Sequence, residues 1–299
     1  MTFLDRWTPL ELGDRRVLHP GPLRWLRAVG WTVALFFLIT LAAFPAIEML
    51  EDILPGGPEI AGFLANCIGA VIALGAYALL VKLGEARTPS ELALKPAVVE
   101  TTAGLLIGFA MIAAVMALLL GLNLYEITWT GPASAWSGAG LAVQSGVVEE
   151  ILLRAIMLRL MWRAFGPWAA FIISAGVFGA AHLANPEATW FAAVCIALEA
   201  GVMLAAFYAL TGRIWVSIGA HAGWNFTMGY LFGAPVSGTD FGPSLATSAA
   251  RFGFPDWLSG GEFGPEASLP GLLVCTAVGL AALWWAWKLG RFGRPAASA

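Results

Sequence analysis

Val147-Val148-Glu149-Glu150-Ile151-Leu152-Leu153-Arg154 sets two adjacent carboxylates and a guanidinium inside a run that otherwise reads as a membrane-spanning helix. Each charge at bilayer depth costs about 2.5–3.5 kcal/mol on insertion scales, so such groups need a partner and usually serve a function. Few partners are on offer. The chain has three histidines, and two of them, His182 and His221, also lie in apolar helical segments.

The composition around this stretch is that of an integral membrane protein. Of 299 residues, 59% are hydrophobic and 12% charged, whereas a soluble domain carries roughly 25% charged residues. The mean hydropathy is +0.79. The fourteen tryptophans agree, since Trp concentrates at membrane interfaces. A net charge of −3 gives no basis for nucleic acid binding. Cys67, Cys195 and Cys275 sit in apolar segments without metal-type or redox-type spacing, and read as buried packing residues. The first two dozen residues are polar and the first apolar run is long enough to span, so no cleavable signal peptide is expected.

Apolar runs at 25–47, 60–83, 101–124, 139–160, 167–183, 188–210, 214–232 and 270–289 predict an all-α, polytopic membrane protein of about eight helices. Each run is near the ~20 residues needed to cross the hydrocarbon, where the backbone must satisfy itself internally. The chain divides into a leader with three spans (1–137), a core (138–232), and an outer loop, last span and tail (233–299). Eight alternating spans put the leader (Arg6, Arg15, Arg16), the 82–95 connector, Arg159, Arg163, Arg213 and the tail (Lys288, Arg291, Arg294) on one side, and only Arg251 on the other. That asymmetry predicts cytoplasmic termini. The Gly/Pro-rich loop 233–268 is then outside. Its Phe241, Phe252, Phe254, Trp257 and Phe263 suggest an interfacial hairpin or short helix.

Three polar clusters lie within the spans. Residues four apart on a helix share a face, so Glu150 and Arg154 are in register for an ion pair. Glu149 is rotated about 100° away and is left to face a polar cavity, where a carboxylate can act as general base or acid. In the fifth span, Phe178 and His182 share a face, and Gly179, Ala180 and Ala181 between them allow close helix approach. In the seventh, His221 and Asn225 share a face; both can donate hydrogen bonds to a developing oxyanion. Convergence of three clusters on one buried site is more economical than three separate interhelical clamps. Glu199, in the sixth span, is another intramembrane carboxylate, and reads as a supporting or structural group.

There is no Gly-x-Ser-x-Gly for serine hydrolysis and no His-Glu-x-x-His for a zinc protease. Zinc held by Glu149, His182 and His221 is conceivable, since two histidines and a carboxylate form a known catalytic set. Without metal, the same residues can hydrolyse an amide. Glu149 would deprotonate water, His182 would orient it, and His221 with Asn225 would hold the oxyanion.

Glu149-Glu150…Arg154, Phe178…His182 and His221…Asn225 together resemble the Glu-Glu-x-x-x-Arg, Phe-x-x-x-His and His-x-x-x-Asn motifs of the CPBP (abortive-infection type) intramembrane proteases, relatives of the Ras-converting CAAX prenyl endopeptidase. The resemblance covers about residues 138–232. It implies peptide-bond hydrolysis without a metal cofactor, with Glu149 as base, His182 assisting, His221 and Asn225 as oxyanion hole, and Glu150, Arg154 and Phe178 in support. It also implies a membrane-associated or lipidated peptide substrate, lipid and substrate as the partners, and a place in a bacterial inner (plasma) membrane. His182 comes late in an outward-going span, which sets the site toward the outer leaflet. The rival readings are a proton-coupled transporter, for which intramembrane Glu and His are equally typical, and a non-catalytic immunity or scaffold protein.

Overall fold

The computed structural model describes residues 7–292; Arg6 and Arg294, counted above with the leader and tail, lie outside the described residues. The helices are α1 (Arg24–Ile53), α2 (Gly57–Glu85), α3 (Ala97–Gly121), α4 (136–165), α5 (Pro167–Ala184), α6 (Trp190–Thr211), α7 (215–231) and α8 (Leu269–Lys288). Among the described residues, six of these are long and apolar enough to cross a membrane: α1, α2, α3, α5, α6 and α8. Two of the eight expected spans fall outside this set: α4 carries Glu149, Glu150, Arg154, Arg159 and Arg163, and α7 is short, covering only 215–231. Most of their side chains face protein, not lipid, so they have no need of a continuous apolar surface.

The all-helical expectation also needs correction. Tyr125–Trp129 (β1) and Ala246–Ala250 (β2) pair antiparallel, with Tyr125 opposite Ala250 and Trp129 opposite Ala246. Both strands lie between spans, where backbone groups are free to pair between loops, and β1 is rich in aromatic and β-branched residues. The loops between α3 and α4 and between α7 and α8 are therefore one structure. Of the aromatic residues expected at the interface, Phe252, Phe254 and Trp257 are exposed, and Trp257 sits on a one-turn helix, Asp256–Ser259. Phe241 and Phe263 instead point into the core.

Small residues set the position of α7. A Cβ on Gly104 or Gly108 of α3 would run into the carbonyl oxygens of Val216 or Ala220, and one on Gly219 or Gly223 of α7 into those of Thr101 or Leu105. Two small-xxx-small rows thus face each other, and the two backbones touch. This is how helices gain van der Waals contact where lipid offers no hydrophobic drive. Gly146 of α4 packs in the same way on Ile218 and Ala222, so α7 is fixed from two sides.

At the opposite end of the bundle from these strands, charges are paired and buried. Arg159 Nη2 and Nη1 donate to Glu85 Oε1 and Oε2 at 2.7 and 2.9 Å. Arg87 joins Glu85 (2.7 Å) to Glu91 (2.7 and 2.8 Å), and the Tyr77 hydroxyl also donates to Glu91. Arg213 pairs with Glu100. Arg87, Arg159 and Arg213, counted above among the basic residues of one side, are locked into buried ion pairs with Glu85, Glu91 and Glu100. The reason is physical: a guanidinium just inside a span end retains its charge at least cost when a carboxylate meets it bidentately. Burial alone would raise the proton affinity of Glu91, which sits in the α2–α3 connector, but Arg87 and Arg159 more than offset this and hold its carboxyl below the usual range.

Two outcomes follow. Gly108→Leu should lower the thermal unfolding temperature in detergent by an amount corresponding to about 1–3 kcal/mol or more of overpacking, whereas Gly75→Leu, at a position with no neighbour within 4 Å, should not. The contribution of Glu91 is present above its unfolded pKa of about 4.3 and is lost as pH falls through its lowered folded value. The stability difference between wild type and Glu91→Gln should therefore be full at pH 7 and close below about pH 4, as read by unfolding at a series of pH values.

Candidate active site

The motif residues of α4 lie where its turns widen. Ser145–Glu149 and Ile151–Leu158 are π-helical, a geometry common at functional sites. Glu150 and Arg154 are both fully buried. Oε1 of Glu150 accepts from Arg154 Nη1 at 2.9 Å and from His221 Nδ1 at 2.9 Å. Arg154 Nη2 donates to the Ala200 carbonyl at 2.7 Å, and its guanidinium lies over the Phe178 ring, 4.7 Å from the centroid. Phe178 in turn meets both imidazoles edge to face, His182 at 4.7 Å and His221 at 6.1 Å. Glu150, Arg154 and Phe178 thus form a packed platform under the two histidines.

The other four residues open onto one cavity of about 330 Å³, lined by Glu149, His182, His221 and Asn225 together with Ser145 and Phe178. Glu149 Oε2 is shielded and has no hydrogen-bond partner among the described residues. It lies 3.9 Å from His221 Nε2. His182 Nδ1 is 2.8 Å from the Phe178 carbonyl; a carbonyl only accepts, so the Nδ1 proton is committed there and Nε2 is left for the cavity. By the same logic the Glu150 carboxylate holds a proton on His221 Nδ1, and Nε2 can donate only when the ring is imidazolium. Asn225 Nδ2 donates to Ser145 Oγ at 2.9 Å, and that hydroxyl donates to the Leu141 carbonyl at 2.9 Å. The Ser145 lone pairs therefore fix which way the Asn225 amide points, leaving its second N–H available.

The cavity has an outer wall that the sequence motifs did not reveal. Val236, Ser237, Thr239, Asp240, Phe241 and Glu266 of the outer loop line it, as does Asn185. Glu266 is buried: Oε1 accepts from Trp224 Nε1 at 2.7 Å, and Oε2 from the Ser237 hydroxyl at 2.7 Å and the Ser237 N–H. Neither Glu266 nor Ser145 stood out in the sequence. Ser145 precedes Glu149 by four and shares its helix face, a spacing that could have marked it. Glu266, a single acid in a Gly/Pro-rich loop, gave no such signal.

Glu199 is not brought to the cavity. It is fully buried, and neither carboxyl oxygen has a hydrogen-bond partner among the described residues, so it contacts neither histidine by a hydrogen bond. A Cβ placed on Gly271 of α8 would lie 3.6 Å from its Oε1. Among the described residues, no three His, Cys, Asp or Glu side chains come together as a metal-ligand set. As arranged, Glu149, His182 and His221 do not form such a set.

Residues 131–227 match the family model described as Type II CAAX prenyl endopeptidase Rce1-like. No curated protein and no solved structure matches the chain.

Removing Glu150 strands Arg154 as an uncompensated buried charge, a loss of about 3–5 kcal/mol. Unfolding in detergent should show Glu150→Ala strongly destabilised, and the double variant Glu150→Ala/Arg154→Met less so than the single one. Equal or additive losses would contradict the pairing.

Proposed function

With a domain of the Rce1-like CAAX prenyl endopeptidase family at residues 131–227 as the premise, we propose that this chain is an intramembrane endopeptidase of the CPBP type that uses a glutamate-activated water. The observation that carries the reading is the Glu149 carboxylate. The side chain is about 33% exposed and lines a polar cavity together with two imidazoles and an amide. An acceptor so placed suits a bound water, and proximity to a carboxylate is what turns water into a nucleophile at neutral pH.

The reaction then runs on this chain's own groups. Glu149 takes a proton from water as the oxygen adds to the scissile carbonyl carbon. The carbonyl oxygen becomes the oxyanion, met by the free Asn225 N–H and by Nε2–H of His221 in its imidazolium form. His182, with Nε2 open, orients the water. The proton held by Glu149 passes to the amide nitrogen, the C–N bond breaks, and a carboxylic acid and an amine leave. Glu150 keeps His221 facing the cavity; Arg154 neutralises Glu150.

The substrate in this proposal is a membrane-associated or lipidated peptide, reached through lipid. The outer-loop end of the bundle is the side of access, because Asn185 and residues 236–241 line the cavity there, while the Glu85–Arg159 ion pair lies ten residues further along α4, about 15 Å away. The termini would then be cytoplasmic and the site nearer the outer leaflet.

Cleavage of a panel of farnesylated CAAX-type and unmodified transmembrane peptides by the purified protein tests this. Glu149→Ala should abolish cleavage, and Asn225→Ala should lower kcat by about 10²–10³ with KM nearly unchanged. Full activity in Glu149→Ala would overturn the mechanism.

A further inference from the structure

The turn Val236–Thr239 is held in an unfavourable conformation at the edge of the cavity. Val236 N donates to Thr239 O and Thr239 N to Val236 O, each at 2.9 Å. Ser237 and Gly238 between them have φ of +50° and +77°. Left-handed backbone at both central positions is the type I′ pattern, which favours Asn or Gly over Ser. A strained residue of this kind persists only where its surroundings over-determine it, and such residues cluster at functional sites.

The surroundings here do so from three directions. Glu266 receives both the N–H and the hydroxyl of Ser237, and its other oxygen receives the indole of Trp224, the residue before Asn225. Asn185, three residues after His182, donates its Nδ2 to the Ser237 carbonyl at 2.9 Å. Gly238 N donates to the Phe263 carbonyl at 2.8 Å, and a Cβ on Gly238 would strike the Pro186 carbonyl. The turn is thus tied to the segment after His182 and to the segment carrying Asn225. Thr239, the last residue of the turn, and Asp240 and Phe241 just beyond it face the cavity. The turn and Glu266 lie outside the matched residues, which end at 227, while Asn185, Pro186 and Trp224 lie within them.

We propose that residues 236–241, clamped by Glu266, are the specificity wall of the cavity, contacting the substrate side chain next to the scissile bond, with Glu266 as the positioning residue. The proposal rests on the endopeptidase reading. It assigns substrate selection to an outer-loop turn and bond cleavage to the helices. A wall of this composition, with Val236, Thr239 and Phe241 around Asp240, fits a small apolar residue adjoining a positive charge.

The test uses the full chain in proteoliposomes and peptides that differ only at the residues flanking the cleaved bond. Thr239→Leu should change the kcat/KM ratio between small and large flanking residues by about tenfold, the scale on which one or two methylenes are discriminated. Glu266→Ala should flatten the same ranking, and Trp257→Leu, on the exposed face, should leave it as in wild type. An unchanged ranking in Thr239→Leu would overturn the proposal. Binding supplies a second readout that needs no turnover. In the Glu149→Ala background, p-benzoylphenylalanine placed at Thr239 should cross-link the peptide and the same group placed at Trp257 should not. Cleavage by Glu149→Ala sinks the catalytic reading; intact catalysis by the helices with no cross-link at 239 sinks the wall alone.

Discussion

One oxygen of Glu150 holds the site together. It lies within the bundle, screened from lipid and water, and receives both the Arg154 guanidinium and the His221 imidazole. Each of these is tolerable at depth only because the carboxylate is there. Arg154 needs a countercharge, and His221 needs an acceptor that fixes its tautomer and aims Nε2 at the cavity. The carboxylate in turn is tolerable because it has both donors. A single buried anion thereby converts three costly groups into one rigid unit, and the Phe178 ring under Arg154 and beside both histidines completes the packing.

Such a unit works only if the helices that supply it come close. His221 reaches Glu150 across the α4–α7 contact, where Gly146 lies against Ile218 and Ala222. On its other side α7 meets α3 through two rows of glycines, backbone to backbone. Larger residues in either seam would move Nδ1 away from the carboxylate. The buried ion pairs at the far end, Glu85 with Arg159 and Glu100 with Arg213, secure the same helices from below. α4 is thus pinned by Arg159 at one level and by Arg154 at another, and Glu149 is presented from a helix with little freedom to shift.

Much of this could be read from the sequence because it is local. Spacing of four sets Glu150 beside Arg154, Phe178 beside His182 and His221 beside Asn225, and the apolar runs reveal the helices. What could not be read depends on contacts between distant residues. No periodicity tells that β1 pairs with β2, that Arg159 finds Glu85, or that Glu266 reaches Trp224. The two helices whose span status differed from expectation are those richest in buried polar groups, since neighbouring helices rather than lipid surround them. The outer loop was legible only as aromatic and Gly/Pro-rich, yet it divides: Phe252 and Trp257 face outward, Phe241 and Phe263 inward. That division depends on tertiary packing, and so did the recognition of a cavity wall.

On the proposed endopeptidase reading, Glu150 acts on catalysis through His221. A double-mutant cycle on kcat for a cleaved peptide measures this directly. If the claim holds, Glu150→Gln lowers kcat sharply in the wild-type background and adds little once His221 has been replaced by Gln. Fully additive losses, with Glu150→Gln as costly in His221→Gln as in wild type, would contradict it.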